Sequence, residues 1–143
     1  MNSVSRSVIA VFAVASLLVA GVGVSPVSAK TVNGCVIKAK TKCAKADLKG
    51  ANLKGANLKG ANLKGANLKG ANLTDVQLTG ANLKGANLTD VQLGGANLSG
   101  LNLSGLNLTG ADLEDAILTN AILTGVTWST TTCPDGSVTN TGC

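Results

Sequence analysis

Residues 46–75 read ADLKG-ANLKG-ANLKG-ANLKG-ANLKG-ANLTD, and the same five-residue period continues without interruption to Thr130. Of the seventeen units, sixteen carry leucine at the third position, twelve carry alanine at the first and twelve end in glycine. A period this strict predicts a repeat architecture, in which each unit buries its apolar residues only by stacking on other units.

A period of five excludes the two common regular elements. Five helical residues rotate the chain by about 500°, so successive leucines would not form one stripe on a helix. In a single long strand the odd period would send each leucine to the opposite face from the last. The chain must therefore bend once per unit, at the glycine, with Ala51 and Leu53 pointing inward and Asn52 outward in a typical unit.

The units resemble the pentapeptide-repeat family, whose pattern is alanine, aspartate or asparagine, leucine and two variable residues. The resemblance covers residues 46–130 and implies an all-β fold, a right-handed quadrilateral β-helix with four units per coil and about four coils. Trp128, at the centre of the last unit, is expected in the core. Outward asparagines 20 residues apart, such as Asn67, Asn87 and Asn107, are expected to form hydrogen-bonded ladders.

The N-terminal region has the pattern of a secretory signal peptide. Arg6 precedes an apolar run over residues 8–24, which is followed by Pro26 and the small triplet Val27-Ser28-Ala29. This predicts a signal peptide over residues 1–29, cleaved near Ala29, and a mature protein that is secreted or associated with the cell envelope. The alternative, an uncleaved membrane anchor, is disfavoured because the run is short for a bilayer span.

Four cysteines flank the repeats, which suits an oxidising compartment. We expect two local disulfides, Cys35–Cys43 in an N-terminal cap over residues 30–45 and Cys133–Cys143 in a C-terminal cap over residues 131–143. Such caps would cover the strand edges at the two ends of a solenoid. A four-thiolate metal site is disfavoured, because the chain has no Cys-x-x-Cys pair and no histidine.

Side chains for catalysis are scarce. The chain has no histidine and no tyrosine, and its single arginine, Arg6, lies in the predicted signal peptide. The carboxylate cluster Asp112, Glu114 and Asp115 is interpreted as a solvated face of one repeat. We therefore predict a protein that is not an enzyme, with no cofactor and no small-molecule substrate.

Charge is strongly segregated along the chain. Residues 30–69 contain ten lysines and one acid, a net charge of +9, whereas residues 70–143 contain one lysine and six acids, a net charge of −5. Five lysines occupy equivalent positions of successive units and are predicted to form a basic ring that binds anions: Lys49, Lys54, Lys59, Lys64 and Lys69. The partner would be an anionic envelope polymer or lipid headgroups. The alternative interpretation is solubility together with recent duplication of one unit.

Two further interpretations stay open beside a secreted, non-catalytic scaffold. Opposite charges at the two ends favour head-to-tail self-association, and the outward apolar residues Ile117 and Ile122 would seat the C-terminal tail or form a dimer patch. The resemblance also implies a DNA-mimic function, since some family members protect DNA gyrase from fluoroquinolones. That function is disfavoured, because the chain without Arg6 has a net charge of +4 and is predicted to be exported. Specific nucleic-acid binding is not expected without arginines or aromatic stacking residues.

Overall fold

A computed structural model describes residues 30–143. The predicted signal peptide and its cleavage site near Ala29 lie outside the described residues. Two short antiparallel hairpins lie at the ends of the described chain: β1 (Thr31–Val32) pairs with β2 (Cys35–Val36), and β3 (Thr131–Thr132) pairs with β4 (Val138–Thr139). No helix in residues 30–143 is long and apolar enough to cross a membrane.

Between the hairpins the chain is connected by single parallel bridges with a spacing of 20 residues. The first joins Lys42 to Asn62 and the last joins Asp112 to Thr132. Since each unit has five residues, four units separate bridged positions, and the outward residues form four stacks. Stack 1 contains Asp47, Asn67, Asn87, Asn107 and Thr127; stack 2 contains Asn52, Asn72, Gln92, Asp112 and Thr132; stack 3 contains Asn57, Gln77, Asn97 and Ile117; stack 4 contains Lys42, Asn62, Asn82, Asn102 and Ile122. The all-β prediction is thereby confirmed.

The central leucines form the core. All fourteen from Leu48 to Leu113 are at most 2% exposed. The last three central residues, Leu118, Leu123 and Trp128, are only partly buried against that core. Trp128 therefore lies at the C-terminal end of the core rather than within it, with Gly142 beside its indole nitrogen.

The fifth residue of each unit has a positive φ angle, because the chain turns a corner within two residues. Gly50 has φ +63°, and the non-glycine corner residues Asp75, Asn120 and Thr130 have φ angles of 58°, 59° and 49°. Aspartate and asparagine tolerate this left-handed region better than most side chains, which explains their use where glycine is missing.

The outward asparagines cap the corners instead of forming ladders. The Asn62 side-chain oxygen accepts a hydrogen bond from the Lys64 backbone N–H at 3.2 Å, and Asn107 does the same for Thr109 at 2.9 Å. Within residues 30–143, one side-chain hydrogen bond joins outward residues of adjacent coils: the Asn67 amide donates to the Asp47 carboxylate at 3.1 Å. The expected asparagine ladder of Asn67, Asn87 and Asn107 was therefore wrong: the side-chain oxygens of these residues accept the fourth N–H of their own units.

The repeat geometry extends one unit beyond each end of residues 46–130. Thr41 and Thr131 occupy inward positions, 4% and 0% exposed, and Cys43 and Cys133 occupy central positions, both 4% exposed. The structure contains the disulfides Cys35–Cys43 and Cys133–Cys143, the two local pairs expected from the sequence. Each bridge thus links a core residue of a terminal unit to the adjoining hairpin segment.

The N-terminal segment covers part of the first strand edge. The Asn33 amide donates to the Asp47 carbonyl at 2.8 Å, and the Lys30 ammonium donates to the Asn52 carbonyl at 2.6 Å. These two carbonyls belong to stacks 1 and 2, where no earlier coil is present within the described residues to bond them.

The C-terminal tail folds against β3 and Trp128. Ile117 and Ile122 stay 47% and 49% exposed, so the tail does not cover them. Within the tail, hydrogen bonds from the Ser137 hydroxyl and backbone N–H lower the pKa of the Asp135 carboxyl and so favour a charged turn.

Candidate anion-binding surface

The five predicted lysines lie on rigid corners of the β-helix. Each occupies the fourth position of its unit, where an outward aspartate or asparagine accepts its backbone N–H; for Lys49 the acceptor is the Asp47 carboxylate, at 3.2 Å. Lys69 lies in the coil next to Lys49, since the Gly50 N–H donates to the Lys69 carbonyl at 2.9 Å. The backbone is therefore ordered while the charged ends extend into solvent, an arrangement that suits contact with an extended anionic surface.

Most of this positive charge is not neutralised by the protein. The ion pair within residues 30–143 joins Lys69 to Asp90 at 3.7 Å, with both side chains about half exposed. Lys49, Lys54, Lys59 and Lys64 have no carboxylate within ion-pairing distance in the described chain. An exposed pair such as Lys69–Asp90 contributes little free energy, so an external anion can compete for Lys69 as well.

The basic surface extends further than the five lysines. Lys40 and Lys45 occupy corner positions with φ angles of 56° and 59°, and their side chains lie over the Gly60 and Gly65 corners. Lys84 lies in the coil below Lys64, because the Gly65 N–H donates to the Lys84 carbonyl at 2.9 Å. These three lysines were not predicted from the sequence as members of the surface; continuing the period of five through residues 36–45 would have placed the first two.

The acidic residues lie near the other end. Asp112, Glu114 and Asp115 line an open depression of about 410 Å³, together with Asp75 and the side-chain-free positions Gly94 and Gly95. The Asp112 carboxylate accepts the Glu114 backbone N–H at 3.0 Å, the corner-capping role of other second-position residues. Within residues 30–143 no cluster of histidine, cysteine, aspartate or glutamate has a metal-binding arrangement. This geometry supports interpreting the cluster as a solvated acidic face.

Comparison with protein families supports the repeat architecture. The family model for pentapeptide repeats, in eight copies, matches residues 45–85 and 86–125. The chain belongs to the pentapeptide-repeat family. No curated protein matches the sequence significantly.

Solved structures of other pentapeptide-repeat proteins are similar to parts of this one. HetL, involved in heterocyst differentiation regulation in Nostoc sp. strain PCC 7120, is 31% identical over 71% of this chain and 61% of its own, with a TM-score of 0.35. A protein from the Arabidopsis thaliana thylakoid lumen is 31% identical over 69% of this chain and 66% of its own, with a TM-score of 0.37. QnrB1, a plasmid-mediated fluoroquinolone resistance protein, is 21% identical over 63% of this chain and 57% of its own, with a TM-score of 0.32. This pentapeptide-repeat chain thus spans 57% to 66% of the length of these proteins.

Proposed function

We propose that this protein is a secreted, non-catalytic scaffold that attaches to a polyanionic component of the cell envelope through its basic N-terminal coil. The component is an acidic wall polymer or an anionic lipid surface. The observation that carries the proposal is the exposed ring of lysines on rigid corners, four of which have no carboxylate partner in the described chain. The proposal includes export after cleavage near Ala29.

The proposed architecture is the right-handed quadrilateral β-helix of about four coils that the family resemblance implies. A square coil turns the lysines of one coil in four directions, so that an end-on approach brings all of them near one surface. The 20-residue bridge register supports this arrangement. The two disulfide bonds, Cys35–Cys43 and Cys133–Cys143, support a location in an oxidising compartment.

Replacing all five ring lysines by glutamine tests the proposal. Each lysine near an anionic surface contributes about 1 kcal/mol, so the variant should bind at least about tenfold more weakly than the wild type. Binding is measured by co-sedimentation with vesicles of phosphatidylglycerol and, separately, by isothermal titration calorimetry with a soluble polyphosphate. The two arms distinguish a lipid surface from a wall polymer.

The matched control replaces the same five lysines by arginine, which keeps the charge. Binding should persist in this control and should weaken with added salt, because exposed charges are screened over about 10 Å at 0.1 M ionic strength. Equal binding by the glutamine variant and the wild type would refute the attachment.

The second candidate function is head-to-tail self-association into a surface layer. It is favoured by the basic N-terminal and acidic C-terminal halves and by the half-exposed Ile117 and Ile122 at the C-terminal end. The backbone N–H groups of Leu118 and Leu123 also lack a hydrogen-bond acceptor within residues 30–143. A free strand edge beside apolar side chains favours addition of another chain.

A further inference from the structure

The 20-residue hydrogen-bond register is interrupted along stack 4 and stack 1. Bridges join Asn62 to Asn82 and Asn102 to Ile122, but none joins Asn82 to Asn102, and none joins Asn87 to Asn107. Six backbone bonds that the register predicts are absent between these coils: Gly80 N–Ser99 O, Leu83 N–Asn102 O, Asn102 N–Ala81 O, Gly85 N–Ser104 O, Leu88 N–Asn107 O and Asn107 N–Ala86 O. We refer to the resulting gap between residues 80–88 and 99–107 as the inter-coil cleft.

Two inward leucines explain the opening. Leu101 and Leu106 replace alanine at the first position of successive units, and both are buried, at 3% exposure. A leucine at the small position adds three carbon atoms between the cores of adjacent coils, and close-packed interiors do not absorb such volume without moving the backbone. Between these two units and the following coil the backbone hydrogen bonds are intact, since the Leu103 N–H donates to the Ile122 carbonyl at 2.9 Å. The two leucines therefore separate their coil from the preceding coil and not from the following one.

The inter-coil cleft contains a cavity of about 340 Å³, at the small end of the usual range for ligand sites. It is lined by Ala81, Asn82, Leu83, Lys84, Asn102 and Ser104. Backbone groups freed from the ladder need other partners, and an open cleft gives them access to water or to a ligand.

Hydrogen-bond donors lie beside apolar side chains in this cavity, and none of its lining residues among 30–143 is a carboxylate. The unpaired N–H groups of Leu83 and Gly85 lie on either side of Lys84, the single lysine after residue 69. The side-chain oxygens of Asn82 and Asn102 are used to cap corners, which leaves their amide N–H groups to face other partners. Backbone N–H groups beside an ammonium form an arrangement that binds anions.

Acceptors for hydroxyl groups are present as well. The Ala81 carbonyl in the cavity lining and the Ala86 carbonyl further along the inter-coil cleft have no backbone donor, and Ser104 adds a hydroxyl to the lining. We propose that the inter-coil cleft binds an anionic polyol unit, a phosphate or carboxylate group next to alcohol groups. The anionic group contacts Lys84 and the N–H groups of Leu83 and Gly85, and the alcohols donate to the freed carbonyls.

The cleft adjoins the basic ring, because Lys84 lies directly below Lys64. A polymer of anionic polyol units held by the ring can therefore place one unit in the cleft. The identification of that unit as part of an envelope polymer rests on the proposed function, whereas the opening of the cleft and its anion chemistry do not.

The experiment removes the wedge without touching a ligand-binding group. Leu101→Ala/Leu106→Ala restores the alanine present in twelve other units, so the variant should fold with a closed ladder. Amide hydrogen exchange, followed by NMR on the disulfide-bonded protein, should be fast at Leu83, Gly85 and Leu88 in the wild type and slow in the variant. Slow exchange at these amides in the wild type would refute the opening.

Binding is measured by NMR titration with glycerol 3-phosphate, with glycerol and inorganic phosphate as comparators. We expect shifts at Leu83 and Gly85 with glycerol 3-phosphate in the wild type and none in the Leu101→Ala/Leu106→Ala variant. Lys84→Gln should weaken this binding about tenfold, as for loss of a hydrogen bond to a charged group, while the exposed control Lys38→Gln should not. No shift with glycerol 3-phosphate, or equal binding of phosphate alone, would overturn the anionic-polyol assignment.

The two proposals fail separately in this design. Loss of polyphosphate binding in the five-lysine variant, combined with no titration of the cleft, supports the attachment and refutes the cleft. Titration of the cleft combined with unchanged polyphosphate binding in the five-lysine variant supports the cleft and refutes the ring.

Discussion

At the scale of single residues, the side chain at the second position of a unit completes the hydrogen bonding of the backbone. In the unit beginning at Ala61, the first N–H bonds back to Leu58 at 3.0 Å, and the second, third and fifth bond to adjacent coils. The fourth, on Lys64, has the Asn62 side-chain oxygen as its acceptor. A backbone N–H without a backbone acceptor needs another hydrogen-bond acceptor, which gives a physical reason for asparagine or aspartate at the second position.

Replacing this acceptor should lower stability. Asn62→Ala leaves the Lys64 N–H without its side-chain partner and should reduce the free energy of unfolding by about 1 kcal/mol. Asn62→Asp keeps the acceptor and should stay within about 0.5 kcal/mol of the wild type, as at the natural Asp47. Urea unfolding followed by circular dichroism measures both, and equal stability of the two variants would contradict the capping role.

At the scale of elements, the terminal hairpins are joined to the core by disulfides rather than by long strands. β3 and β4 have two residues each, too few to be stable alone in water. The Cys133–Cys143 bridge spans 10 residues and attaches the end of the tail to a central core position. The tail also places Gly142 against Trp128, so this element covers the C-terminal end of the core at Trp128.

Opening the C-terminal bridge should therefore destabilise the protein. Cys143→Ser leaves Cys133 as a small buried apolar residue and removes only the covalent link. A loop of this length predicts a loss of about 2 to 3 kcal/mol, measured by urea unfolding of the oxidised variant. The Trp128 fluorescence should also move to longer wavelength as the tail detaches. A loss below about 0.5 kcal/mol would show that the tail is held by its other contacts.

At the scale of the whole molecule, charge runs along the axis of the solenoid. The lysines lie in the first coils and the carboxylates Asp112, Glu114, Asp115 and Asp135 near the end of the chain. Unlike ends of one molecule favour a heterologous contact, which does not close and allows open-ended growth. Each end offers a small area, and the N-terminal segment already occupies the Asp47 and Asn52 carbonyls. Any such contact should consequently be weak and electrostatic.

Sedimentation velocity of the oxidised protein tests head-to-tail association. The sedimentation coefficient should rise with protein concentration at low salt and fall to that of a single species as salt is added, because screening weakens contacts between exposed charges. The five-lysine glutamine variant should remain a single species at low salt. A wild-type protein that stays one species at every concentration and salt level would exclude the self-associating layer.

The sequence by itself determined the period, the all-β class and the central leucine column, because a repeat of five fits neither a helix nor a straight strand. It also indicated the two disulfide pairs and the corner positions of the five ring lysines. These features depend on spacing along the chain, and spacing can be read without coordinates.

Only the tertiary structure decided how neighbouring coils meet. It showed that asparagines cap corners, that Lys69 pairs with Asp90, and that Ile117 and Ile122 stay exposed. It also showed that backbone hydrogen bonds are missing between the coils at Leu101 and Leu106, although in the sequence these leucines are only conservative apolar replacements. Contacts between residues 20 apart depend on how the side-chain volumes and hydrogen bonds of two units fit together. The pattern of a single unit does not contain this information.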